Sequence, residues 1–158
     1  MGAVLAAEVT REKTDQPVLP GVPMNRHRAT LIGLGMAVTP HAKSLLDLRE
    51  RVDVAAAYSP TVQRRAGFAA RFPFPVTADL NAIIADRSID AVLVLTPPRT
   101  HLPLVERLAA AGKHVLLEKP IEADTGRAIA VVEACERAGV ASRHLGWVLG
   151  RVVSRVPS

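Results

Sequence analysis

Four short segments carry residue types and spacings suited to holding a phosphorylated ligand and moving a proton beside it. Gly33-Leu34-Gly35 follows the apolar run Ala29 to Leu34 and precedes a helical pattern. Glycine lets a backbone turn tightly and approach a pyrophosphate, which the N-terminus of the next helix attracts. A third glycine would fall at position 38, where the residue is Val38, so an ordinary tight turn stays open as the competing reading. The second segment is Ser59 to Arg65, at the end of a second strand pattern. A dinucleotide site commonly puts an acid there for the ribose hydroxyls. Asp53 is a poor substitute, because five residues at about 3.3 Å each separate it from that end. Ser59 with Arg64 and Arg65 offers a hydroxyl and guanidinium donors instead, which suits a 2′-phosphate. The alternative is a solvated helix face.

The third segment is Thr96-Pro97-Pro98-Arg99-Thr100-His101. An extended Pro-Pro turn can lie against a ring, and His101 can hydrogen-bond it; alternatively, Thr100 and His101 simply cap the next helix. Glu118-Lys119-Pro120 is the fourth, again at a strand's C-terminal end, the edge where open α/β sheets bind ligands. A partly desolvated lysine there is a sensible proton donor or electrostatic clamp. A plain surface ion pair between Glu118 and Lys119 is the bland alternative. No metal ligands are assigned.

Positioning these segments requires strands alternating with helices. Ala29 to Leu34, Val52 to Tyr58, Phe74 to Val76, Ala91 to Leu95 and His114 to Leu117 are predicted strands, the fourth nearly all aliphatic, as a strand covered on both faces is. Between them, Thr39-Pro40 supplies an N-cap and a first-turn proline for a helix with Ala42, Leu45 and Leu46 inward. Thr61 to Arg71, Asp79 to Ala85 and a stripe of Leu102, Val105, Leu108 and Ala109 ending at Gly112 give three more helices. Asp124 caps the fifth, which runs to Gly139. Five strands and five helices with short connections predict an α/β doubly wound parallel sheet.

The chain has 158 residues, 49% hydrophobic and 3% aromatic, a length that suits one domain. Its single Cys135 excludes an internal disulfide and makes the cytoplasm the default setting. Much of the net charge of +5 comes from Arg143, Arg151 and Arg155 in a tail without acids. The five aromatics do not interleave with a basic face, so nucleic-acid binding is not expected. Apolar runs are too short for a membrane helix. Residues 1–26, rich in proline and charge towards their end, read as a flexible leader, with Met24 an alternative start.

Together the four segments resemble the N-terminal cofactor domain of the family of glucose-fructose oxidoreductase, inositol dehydrogenase and rhizopine catabolism proteins, written Gfo/Idh/MocA. The resemblance covers about residues 27 to 140. Thr96-Pro97-Pro98 with His101, then Gly112-Lys113-His114-Val115 and Glu118-Lys119-Pro120, is its most specific part; Gly33, Gly35 and His41 also fall in place. It implies a Rossmann fold and an NAD(P)-dependent oxidoreductase acting on a sugar, polyol or related hydroxyl compound; the residues from Ser59 to Arg65 favour NADP over NAD. By resemblance Gly33, Gly35, Ser59 and Arg64 line the pyrophosphate and adenosine ribose. Pro97 and His101 meet the middle of the cofactor, Glu118 its nicotinamide end, and Lys119 is the catalytic candidate. Family members continue into a second domain that supplies much of the substrate pocket and the subunit interface. Residues 141–158 do not match that continuation, and a frameshift or truncation is the expectation. On that view the chain alone is weakly active or inactive, lacks the family-type oligomer interface, and meets a small-molecule substrate only when a second domain is supplied. A non-catalytic nucleotide-binding or regulatory module and an inactive fragment are the alternatives.

Overall fold

The computed structural model describes residues 26–145; the leader before them and the tail after them, including the basic run at Arg151 and Arg155, lie outside the described residues. Six strands form one parallel sheet: β1 (His27–Ile32), β2 (Val52–Tyr58), β3 (Val76–Thr77), β4 (Ala91–Val94), β5 (His114–Glu118) and β6 (Ser142–Leu145). Their spatial order is β3-β2-β1-β4-β5-β6. The order reverses between β1 and β4. A parallel sheet needs crossovers, and right-handed ones place the helices of the two halves on opposite faces.

Helices α1 (Val38–Asp47) and α2 (Val62–Ala69) cover one face, where Leu31, Ala42, Leu45, Val54, Ala57 and Phe68 share a core. Phe68, Phe72 and Phe74 form one ring cluster there, with centroids 5.0 to 6.4 Å apart. Three of the five aromatics are thus spent on packing. Helices α3 (Leu80–Ala85), α4 (His101–Ala110) and α5 (Thr125–Ala138) serve the other face, where Ile32, Ile83, Val92, Val94, Val105, Leu108, Val131 and Cys135 are buried together. Burial pushes the Cys135 thiol up, only partly offset by a hydrogen bond with Ser142, and the side chain acts as a small apolar filler.

Local signals account for most helix ends. Asp79 Oδ1 accepts from Ala82 N at 2.9 Å and Asp124 Oδ1 from Arg127 N at 3.1 Å, so both caps sit where an acid satisfies an orphan N–H. Gly139, at φ +66°, ends α5 in the left-handed region.

The third strand moves from the expected Phe74 to Val76 to Val76–Thr77 and the second helix shortens to Val62–Ala69, and three further shifts bear on the site. β1 starts two residues before Ala29 and stops at Ile32, which frees Gly33-Leu34-Gly35 to form the turn. Helix α1 begins at Val38, after Ala37. Thr39 is therefore inside the helix, where its hydroxyl accepts from Arg71 Nη2 at 2.5 Å. Pro40 still falls in the first turn, where a missing N–H costs nothing. Finally, five strands become six. Ser142–Leu145 pairs in parallel with β5, Val115 opposite Ser142 and Glu118 opposite Leu145. The sheet thus runs past the boundary expected at residue 140.

Candidate functional site at the C-terminal edge of the sheet

At the reversal point, the place where open α/β sheets bind ligands, the strand ends are tied together by specific contacts. Leu95 N donates to Ile32 O at 2.8 Å and Gly33 N to Tyr58 O at 3.0 Å, linking the ends of β4, β1 and β2. Gly33 has φ +104°, and a Cβ there would stand 2.8 Å from the Leu95 carbonyl carbon. Both the backbone angle and the close approach require glycine. Gly35 differs: its Cβ direction meets nothing within 4 Å. Nothing in the protein core demands a glycine at this position.

Helix α1 starts immediately after this turn with no side-chain cap and no acid in its first turn. Its positive dipole end therefore meets no capping side chain and no first-turn acid. That combination, an open glycine at an uncapped helix N-terminus on the switch point, is a ready anion site.

On the β2 side, Ser59 is 1% exposed. Its hydroxyl accepts from Thr61 N at 3.3 Å and its carbonyl from Arg65 Nη1 at 2.5 Å. Expected to line the adenosine ribose, Ser59 instead shapes the β2–α2 turn from below the surface. Arg65 is committed to that turn, while Arg64 is exposed on α2. Asp53 lies at the far end of β2, 3.3 Å from Arg28 Nε.

Past β4, Pro97 is exposed in an extended conformation and caps a 3₁₀ turn over Pro98–Thr100. Thr100 Oγ1 donates to Pro97 O at 2.7 Å, closing that turn. His101, expected to touch the ligand, is 1% exposed, and its two ring nitrogens face the carbonyls of Thr96 and Ile121 at 2.7 Å each. The ring joins two loops rather than reaching the surface. This corrects its role: both polar atoms are spent inside the protein.

At the end of β5, Glu118 Oε2 lies 3.0 Å from Nε2 of His41, in the first turns of α1, with both side chains about one-fifth exposed. Glu118 therefore turns towards α1, and the adjacent pairing with Lys119 does not form. Lys119 is exposed and has no acidic partner among the described residues. Its peptide with Pro120 is cis.

Glu122 was missed in the sequence. Its carboxylate is buried and accepts from Arg127 Nη2 at 3.0 Å, Leu102 N at 3.1 Å and Ala123 N at 3.2 Å. The Arg127 hydrogen bond, followed by those backbone donors, outweighs burial and holds its carboxyl at about 2. By supplying Leu102 N with an acceptor it secures the start of α4. The available signal was an acid four residues after Glu118 and two before the α5 cap. Lys113, buried at the opposite edge, donates to Asp86 O and to Ile89 O at 3.0 Å and ties α3 to β5.

One known family matches along nearly all of the described chain. Residues 27–144 fit the family described as Gfo/Idh/MocA, an oxidoreductase family with an NAD-binding Rossmann fold. The chain belongs to the Gfo/Idh/MocA family. It is 37% identical over 110 residues to inositol 2-dehydrogenase from Rhizobium meliloti, covering 68% of this chain and 31% of that protein. It is 32% identical over 127 residues to an NADP-dependent D-xylose 1-dehydrogenase from Haloarcula marismortui, covering 78% of this chain and 33% of the relative. Among solved structures, GenD2 from gentamicin A biosynthesis in complex with NAD superposes with a TM-score of 0.70 at 32% identity, over 81% of this chain and 37% of GenD2. The chain thus spans about a third of the length of the curated relatives it matches. The open Gly35 and uncapped α1 fit the pyrophosphate of the dinucleotide that the family description names.

Proposed function

We propose that this chain is the NAD(P)-binding unit of an oxidoreductase acting on a sugar, polyol or related hydroxyl compound. The observation that carries the reading is Gly35, open to solvent at the uncapped N-terminus of α1. In this reading the Gly33–Gly35 turn and the first N–H groups of α1 hold the pyrophosphate. The exposed Pro97 lies against the middle of the cofactor, and Arg64 meets a 2′-phosphate. When bound, the nicotinamide supplies the acceptor or donor of a hydride. Glu118, drawn to His41, leaves the Lys119 ammonium unpaired at the C-terminal edge of the sheet, able to orient a substrate hydroxyl and exchange a proton with it. Relatives named as inositol and xylose dehydrogenases support that substrate class.

Absence of an acid at the end of β2 favours NADP, since a carboxylate there would repel the 2′-phosphate. Titrating the chain with NADP and with NAD tests this. NADP is expected to bind about tenfold more tightly, the worth of one charge-assisted hydrogen bond. Arg64→Glu should erase the difference while leaving NAD affinity unchanged. Tighter binding of NAD by the unaltered chain would overturn the preference. With a substrate domain supplied, Lys119→Ala should lower kcat in turnover of inositol or xylose by about 100-fold or more with cofactor affinity retained.

A further inference from the structure

We propose that the N-terminal edge of the sheet carries a second ligand site, a cleft that takes the carboxylate of a small aliphatic monocarboxylic acid. Gly112-Lys113-His114-Val115 is the segment that the ligand edge leaves unused, since it lies at the opposite end of β5 from Glu118. There a cleft of about 430 Å³ has Arg87, Ile89, Asp90, Ala111, Lys113 and His114 among its walls. These residues come from the start of β4, the end of α4 and the start of β5. The volume falls in the range of small-molecule sites.

Donors and acceptors around the cleft are unequally engaged, and the imbalance sets the ligand's chemistry. The acceptors have partners. Asp90 Oδ2 accepts from Arg28 N at 2.8 Å, and Asp86 Oδ1 accepts from Ser88 N at 2.9 Å and Ser88 Oγ at 2.5 Å. The last carbonyls of α4, those of Arg107, Leu108 and Ala109, accept from Ala111 N, Lys113 N and Gly112 N. Donors remain available. The Arg87 guanidinium, always charged, is exposed and has no acidic partner among the described residues. Lys113, 2% exposed, directs two N–H groups to Asp86 O and Ile89 O; a lysine ammonium has three. His114 Nδ1 accepts from Ala141 N at 3.0 Å, which leaves the ring's N–H on Nε2. Arg87 and Lys113 against Asp90 give a surplus of one positive charge, which a monocarboxylate balances and a phosphate dianion exceeds. A carboxylate only accepts and suits the arginine fork, while Ile89 and Ala111 supply an apolar wall for a short aliphatic body. The cleft is at the edge away from Gly35 and Lys119, so the proposal does not rest on the cofactor reading.

Titrating the ¹⁵N-labelled full chain with sodium butyrate at constant ionic strength, without cofactor, tests the site. Saturable amide shifts are expected at Arg87, Ile89, Gly112, Lys113 and His114, with a dissociation constant of about 1 mM and residues 33–37 unmoved. Arg87→Glu changes an exposed side chain. It should keep the unfolding midpoint and weaken butyrate binding by about tenfold or more, and Arg87→Lys should restore part of the loss. Inorganic phosphate should bind these residues more weakly than butyrate. No saturable shift at about 50 mM butyrate, or the same shifts from sodium chloride alone, would overturn the proposal. So would full binding by a folded Arg87→Glu chain, a butyrate response centred on residues 33–37, or tighter binding of phosphate at the cleft.

Discussion

Glycines 33 and 35 stand two residues apart and do different work, which gives the account its sharpest contrast at the scale of single residues. Gly33→Ala forces a Cβ against the Leu95 backbone at φ +104° and should cost about 2 kcal/mol or more in chemical denaturation. Gly35→Val meets no protein atom within 4 Å of its Cβ. It should leave the unfolding midpoint almost unchanged and abolish dinucleotide binding. Glu122 makes an acid-sensitive contribution. Its folded carboxyl sits at about 2 against an ordinary 4.5, so its stabilisation is complete above pH 4.5 and is lost as pH falls towards 2. Glu122→Gln should flatten that limb of the stability curve in denaturant melts between pH 5 and 2. Glu122→Ala should destabilise by about 2 to 3 kcal/mol by stranding Arg127 and two backbone N–H groups. Thr30 points the other way. Its hydroxyl is buried with no partner among the described residues, and Thr30→Val should stabilise by about 1 kcal/mol. Residue types at the site were legible in the sequence, but their partners were not. Nothing in the string shows that Glu118 selects His41, 77 residues away, over its neighbour Lys119. Nor does it show that His101 faces two carbonyls, since that depends on where two loops meet.

Elements were more legible, because each is set by local periodicity and end signals. Asp79, Asp124, Gly112 and Gly139 mark helix ends through chemistry confined to one turn. Asp124→Ala should therefore cost about 1 kcal/mol, measured by denaturant unfolding. Thr39 misled for a similar reason. Its residue type suits an N-cap, but the helix starts earlier, on a turn without a side-chain cap. Strand β6 was not legible, since Ser-Arg-His-Leu carries no aliphatic run. It forms because β5 offers an unpaired edge, with Val115 N donating to Ala141 O at 2.9 Å to begin the ladder. Ending the chain at Ala141 should lower the Tm by about 4 to 8 °C and expose an aggregation-prone edge.

At the scale of the whole molecule, the strand order places one reversal between β1 and β4, and every candidate segment follows the C-terminal end of a strand. Alternating strand and helix patterns were enough to predict this arrangement, because right-handed crossovers leave few other topologies. The ties between the segments are tertiary: Gly33 to Tyr58, Leu95 to Ile32, His41 to Glu118 and His101 to Ile121. They make the edge one connected surface, and an account built on a dinucleotide site there can be tested over all of it at once. Backbone amide chemical shifts of the ¹⁵N-labelled chain during titration with NADP do so most directly. Saturable shifts are predicted at residues 33–37 and 61–65 and at Thr96, Arg99, Thr100, Glu118, Lys119 and Ile121, all with one dissociation constant, and with Lys113 and His114 at the opposite edge unmoved. No saturable change, or a response centred on Lys113 and His114, would contradict the account.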